Sequence, residues 1–427
     1  MNSHKFKKRK SIAAILLLLS AATVLADAQS NWPRWRGPQD NGSTEHGNYP
    51  IKWDANKVLW KAVLPGKGCS TPVVWDKRIY LTAPVDGLDG TLVFDWAGKQ
   101  LWQITFGQEN AGKHRNGSGC NPSPATDGKT LFVYFKSGTF AAVDFAGKIR
   151  WQTNLVHAFG PDTLYWDHGI SPVLSDKYAI MVRMHNGESW LAAFDKSTGE
   201  LRWKVPRNYE TPVEGDHGYS TPLLLHRNGK EELLVWGGQH LTLHDVSNGN
   251  VLWSFGEAFN PEFKPNWPTV ASIVVAGDIA VVPFGRADRG QPRLHGIRLS
   301  ATEQSARIWK REDTGTFVPT PALYKGRLYI VRDRGEVECI EPTTGKSIWS
   351  DAFPKASSSF YSSPLVASGK LYAAREDGVV FVANVDGKFE LLAENNMGER
   401  VIACPLPVAN RLFIRGEQHL FCIATEN

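Results

Sequence analysis

The chain has 427 residues, 42% hydrophobic and 21% charged, with a formal net charge of +5. That charge excludes less than it suggests, because Lys5, Lys7, Lys8, Arg9 and Lys10 against Asp27 all fall within residues 1–28. The remainder is near neutral, at about +1, and carries no other run of like charge, so no nucleic-acid partner is expected.

In chain order the first element is a leader. The basic residues precede an apolar run from Ile12 to Leu19 and small residues ending in Ala26-Asp27-Ala28. This is the pattern of a cleavable secretory signal peptide, and the run is too short to persist as a membrane span. No cysteine follows it to accept a lipid. Residues 1–28 are therefore expected to be removed, leaving a periplasmic or secreted protein with no transmembrane anchor. Residues 29–57, with Trp32-Pro33-Arg34-Trp35-Arg36-Gly37-Pro38, read as an ordered N-terminal arm.

From residue 58 onward a phrase repeats roughly every fifty residues, the period of a four-stranded propeller blade. Its best copies are Gly98-Lys99-Gln100-Leu101-Trp102, Gly147 to Trp151, Gly199 to Trp203, Gly249 to Trp253 and Gly345 to Trp349, with looser ones at Trp60 and Trp309. About thirty residues before each tryptophan stands a Ser/Thr-Pro pair, as in Thr71-Pro72, Ser123-Pro124 and Ser171-Pro172. Proline is tolerated at the first residue of a strand, where its missing N–H need not join the ladder. Gly-containing turns such as Asn186-Gly187 mark hairpins. The markers predict an all-β chain of eight blades, each of four antiparallel strands. The last closing strand has Leu392 where the tryptophan should stand. The C-terminus has room for three strands after Pro405, and Val58–Lys61 is a closing strand with no blade before it. Residues 58–427 are thus expected to form one propeller closed by its N-terminal strand, which removes an exposed edge. The tryptophans should pack between neighbouring blades.

Cys339 and Cys422 occupy equivalent third-strand positions and read as small buried hydrophobes. Cys69, Cys120 and Cys404 lie at innermost strands of blades that become adjacent on closure. In an oxidising compartment one disulfide among these three is an option beside three free thiols.

The loops entering the inner strands carry polar and aromatic clusters: His114 and Asn116; Trp166, Asp167 and His168; Asp216 and His217; Trp267. Asp-His-Gly occurs twice at nearly the same offset before the blade proline. An aspartate beside a histidine can fix its tautomer and favour its charged form. The alternative is shared turn chemistry, with Asp capping a turn before Gly. Arg183, Arg332, Arg375 and Arg415 end second strands at matching offsets. They would either pair with local acids or make the loop face receptive to a small anionic ligand. There is no Gly-x-Ser-x-Gly elbow, metalloprotease helix, phosphate loop, calcium-binding loop or haem motif, and no metal-ligand spacing.

The Gly-Lys-x-x-Trp closing strands, the Ser-x-Pro openings, Trp32 to Pro38 and Glu394 to Val401 resemble the PQQ-like β-propeller repeat proteins. That family includes the propeller subunit of the bacterial outer-membrane protein assembly machine and, more distantly, quinoprotein alcohol dehydrogenases. The resemblance implies a scaffold that binds envelope proteins through its loop face. Two departures weigh against the dehydrogenases, which use neighbouring cysteines and a calcium set of Glu, Asn and Asp. No two cysteines are adjacent here, and no such set is evident. No cofactor is expected. PQQ with calcium belongs to the alternative, a quinone-dependent dehydrogenase with an atypical site. Glycan binding through Trp166 and Trp267 is a weaker alternative.

Overall fold

A computed structural model describes residues 30–54, 58–256 and 264–425; the leader lies outside them. The strands form eight sheets around a central axis. Blade 1 runs Val73–Trp75, Arg78–Val85, Leu88–Phe94 and Gln100–Gln108, innermost strand first. Blades 2 to 7 repeat this order. In blade 8 the strands Leu406–Val408, Arg411–Arg415 and His419–Ala424 are completed by Trp60–Val63, antiparallel, with Trp60 opposite Cys422. The N-terminal strand closes the ring as expected, starting two residues later than Val58.

The middle strands are hydrophobic at nearly every position because both of their faces are buried, as in any stacked sheet. In blade 1, Tyr80 and Val93 face blade 2, packing with Leu131 and Val133. Their neighbours Leu81 and Leu92 face the other way, onto Leu412 and Ile414 of blade 8.

The repeated phrase has a geometric cause. A β-bulge precedes the tryptophan in the closing strand, for example between Ile149 and Trp151, and turns the ring toward the next blade. There the indole N–H donates to a turn carbonyl: Trp60 to Trp96, Trp102 to Phe145, Trp151 to Lys196, Trp203 to Val246, Trp253 to Ala301 and Trp309 to Pro342, all within 2.8–3.1 Å. The phrase's glycine lies beneath the preceding blade's ring. Gly199 has φ +74° and would place a Cβ 2.6 Å from Trp151. In blade 7 the same bulge puts buried Ala393 opposite Val382, the register a tryptophan takes elsewhere, while Leu392 is turned out to solvent.

Residues 30–54 cross the face that carries each blade's first hairpin. Trp32 bridges Val74 of blade 1, and Pro33 accepts from Thr126 N–H of blade 2. The buried Arg36 donates to the carbonyls of Pro364 and Pro321 at 3.0 and 2.8 Å. Ser43–Thr44 then adds to blade 7 as a fifth, parallel strand beside Leu365–Ala367.

Candidate functional site

The Ser/Thr-Pro openings converge on the axis as a hydrogen-bonded belt. The backbone N–H of Thr71 donates to Ser123 Oγ, Ser123 to Ser171, Ser171 to Thr221, Thr221 to Ser272, Ser272 to Thr320, and Thr320 to Ser363, at 2.9–3.2 Å. Cys404 N–H donates to Thr71 Oγ1 at 3.2 Å and brings the belt back to its start. A proline, which offers no N–H, follows six of these seven hydroxyl residues, Ile273 following Ser272, and each hydroxyl serves the neighbouring blade. Position 404 alone carries sulfur, and Trp35 of the arm donates its Nε1–H to that Sγ at 3.3 Å.

Above the belt lies a cavity of about 470 Å³ to which every blade contributes, with Trp35 also in its lining. The arm docks on the first-hairpin face, whereas His114, Trp166 and Tyr361 arrive on the opposite loops, so Trp35 acts as the floor of a cup. Around the mouth the His114 ring meets Trp166 and Tyr361 edge-on, at 5.5 and 5.9 Å between centroids. Burial, then Arg115 beside it, lowers the His114 pKa and favours the neutral ring. On the far wall the Arg286 guanidinium lies 4.2 Å over Phe317 while gripping Asp288. Burial pushes the Asp333 carboxyl up to about 6, although it accepts the N–H groups of Phe317 and Val318.

Residues 109–121 form a strap over part of the mouth. Asp167 holds one side, accepting from Lys113 N–H, His114 N–H and Lys136 Nζ at 2.7–3.0 Å. Gly117 passes so close that a Cβ would stand 2.3 Å from Asp167 Oδ2. The far side is pinned to blade 7, where Glu376 takes Arg115 at 3.0 Å, Asn116 Nδ2 at 3.3 Å and Ser359 N–H at 3.1 Å. Arg400 of the blade 7–8 connection joins the same carboxylate at 3.1 Å and also bonds Asn116. Burial opposes ionisation of Glu376, yet Ser359, Asn116 and the arginines outweigh it and lower its pKa.

Of the residues picked from sequence, His114, Asn116, Trp166 and Asp167 meet at this mouth. The two Asp-His-Gly copies diverge. Buried His168 turns behind the wall, where its Nδ1 is 3.3 Å from Asp162 Oδ2, so its partner is not the adjacent Asp167. His217 is buried 3.8 Å from Asp216, and neither lines the cup. Trp267 is buried against Phe284 and bonds Gln291, so it is not a surface platform. The four repeat arginines do not line the cup either. Arg183 donates to Phe159 O and covers Trp190; Arg375 pairs with Asp377 and donates to Pro354 O. Arg415, fully buried, donates to Ser70 and Thr82, and Arg332 is half-buried with Asp313 nearby. Arg183, Arg375 and Arg415 tie the ends of their second strands to neighbouring segments.

The disulfide option is not realised, because all five cysteines are free thiols. Cys120 turns to Asp89, Cys404 serves Trp35, and Cys69 donates to Asn116 O under the strap. Burial pushes the Cys69 thiol up to about 12.

Sequence reasoning gave Glu376, Arg115, Arg400 and Asp333 no site role of their own. Glu376 and Arg115 come from different blades, Asp333 is capped by backbone N–H groups that carry no side-chain signal, and the one available signal was that the blade 2 entry loop is long.

Fold and belt define an eight-bladed propeller of PQQ-like repeats. The chain belongs to the family described as outer membrane protein assembly factor BamB, whose profile matches residues 43–164, 158–303 and 295–389. It is 21% identical over 352 residues to the outer membrane protein assembly factor BamB of Yersinia pestis, covering 80% of each chain. The solved BamB of Moraxella catarrhalis superposes with a TM-score of 0.55 at 14% identity, over 82% of this chain and 99% of that one. The quinohemoprotein alcohol dehydrogenase of Comamonas testosteroni superposes at 0.68 with 12% identity, over 94% and 82% of the two chains, a likeness of fold alone.

The cup holds no pair of neighbouring cysteines, and three of the four carboxylates that line it are already engaged. Cys69 and Cys404 both line it but come from different blades and bond elsewhere. Asp167 is neutralised by Lys136, Asp288 by Arg286, and Asp333 is capped by two backbone donors.

Proposed function

We propose that this chain is an exported, non-catalytic scaffold of the cell envelope that grips a protein partner on its loop face. One observation carries the reading. Tyr165, Trp166 and Val213 stand on adjacent entry loops beside the cup, 54%, 44% and 71% exposed. Large apolar groups at a rim rather than in a core mark interaction sites, and aromatic anchors dominate such interfaces. The name of the family's relatives, outer membrane protein assembly factor, supplies the partner class: envelope proteins met after export across the inner membrane. Tyr165 and Trp166 contact each other edge-on at 4.8 Å, and Trp166 N–H is fixed by Tyr219 Oη at 3.0 Å, so the anchor is pre-organised.

A photo-crosslinking residue at position 166 should capture an outer-membrane assembly component in intact cells, and one at Leu252 on an outer strand should not. Equal capture from both positions would refute the loop-face reading. Turnover by a quinone-type dehydrogenase needs a cation beside the carbonyl and a free carboxylate to take the proton. Three of the cup's four carboxylates, Asp167, Asp288 and Asp333, are already committed, and we expect no retained chromophore after incubation with PQQ and calcium. The same reading leaves glycans a single platform, Trp166, because Trp267 is buried.

A further inference from the structure

On the face opposite the loops, three potential ligands from two blades converge. His226 and Glu231 are directly opposed on the first two strands of blade 4, Leu223–Arg227 and Lys230–Gly237. Asp176 comes from the first hairpin turn of blade 3. One donor atom from each of the three lies within 4.8 Å of the others.

Two features separate this cluster from an ordinary charged surface. The first is spacing. Ligand atoms about 2.1 Å from a tetrahedral zinc ion stand roughly 3.4 Å apart, and His226 Nε2 is already 3.6 Å from Glu231 Oε1. Glu231 is held in place, since Oε1 accepts Asp176 N–H at 2.8 Å and the side chain is largely covered. The second is charge. Among the described residues neither Asp176 nor Glu231 has a lysine or arginine partner within 4 Å; the nearby Arg227 pairs with Glu232 and Asp278 instead. Two carboxylates and an imidazole are left facing one point without a cation.

We propose that Asp176, His226 and Glu231 bind one divalent transition ion of the zinc class. An imidazole nitrogen with two carboxylate oxygens suits zinc and its neighbours, whereas calcium takes oxygen ligands only. Three protein ligands leave at least one position for water. The ion would link the blade 3 turn to the blade 4 hairpin, on the face opposite the proposed partner rim. Residues 50 apart on different blades give no metal-binding spacing in the sequence.

The test is calorimetric titration of the full chain, stripped with a chelator, with zinc chloride. One saturable site is expected, unaffected by millimolar calcium and weakened at least ~10-fold by His226→Ala and by Asp176→Asn. Cobalt should give visible ligand-field bands that vanish in His226→Ala. Both side chains are exposed, so circular dichroism of the variants should match the parent. Absence of saturable binding, or binding unchanged by His226→Ala, would overturn the proposal. Neither outcome bears on the loop-face reading.

Discussion

Trp35 Nε1 donates to Cys404 Sγ at 3.3 Å, which fastens the N-terminal arm to the only belt position without a hydroxyl. The belt makes a direct prediction about that position. Cys404→Ser should cost little, because a hydroxyl can accept from Trp35 and Cys404 N–H still has Thr71. Ser171→Ala removes the acceptor of the buried Ser123 N–H and should cost about 1–3 kcal/mol. Urea unfolding of the two variants separates them; equal midpoints would mean the belt contributes nothing.

A second pair of variants tests the tryptophan stack. Gly199 and Gly160 both have positive φ, +74° and +89°, so alanine strains the backbone at each. Only at Gly199 does the new Cβ meet a ring, 2.6 Å from Trp151; at Gly160 nothing lies within 4 Å. Gly199→Ala should therefore be the more damaging by roughly 1–3 kcal/mol. Comparable losses would deny the glycine its role beneath the preceding blade's indole.

This contrast shows what the sequence made legible. Gly-x-x-x-Trp and Ser/Thr-Pro could be read because most blades need the same bulge, indole socket and belt hydroxyl. The cup could not be read so well, since its geometry differs from blade to blade. Asp167 and Asp216 head the same triplet, yet the first faces Lys136 across a blade boundary and the second stands beside His217. Trp267 followed the pattern of an entry-loop aromatic but found a pocket on Phe284. Glu376 of blade 7 gathers Arg400 from the connection that follows and Arg115 from the strap before blade 2, which comes near it only once the ring has closed.

Asp333 predicts a pH signature. Burial raises its pKa from 3.8 to about 6, so the folded state holds the proton more tightly than the unfolded chain. Its contribution is therefore complete below about pH 4 and is lost as pH rises through about 6. Against Asp333→Asn, the wild type's relative stability should fall by up to about 3 kcal/mol between pH 4 and 8. A difference that stays flat across this window would show that the carboxyl titrates normally.

Ring closure makes the last prediction. Trp60–Val63 supplies the outer strand of blade 8, and the Trp60 indole packs on Phe413 and bonds Trp96 O of blade 1. A chain beginning at residue 55 lacks the arm and Trp35 but keeps this strand. It should melt in one transition at a lower temperature, with a cup now open at its floor. A chain beginning at Leu64 also loses the strand, which exposes the His419–Ala424 edge and breaks the contact between the last blade and the first. It should lose the sharp transition altogether, because no neighbour then covers the edge. Calorimetry of the two truncations decides the matter. If the shorter chain melts as sharply as the longer one and at the same temperature, the strand is an ornament on blade 8 and the ring is held shut elsewhere.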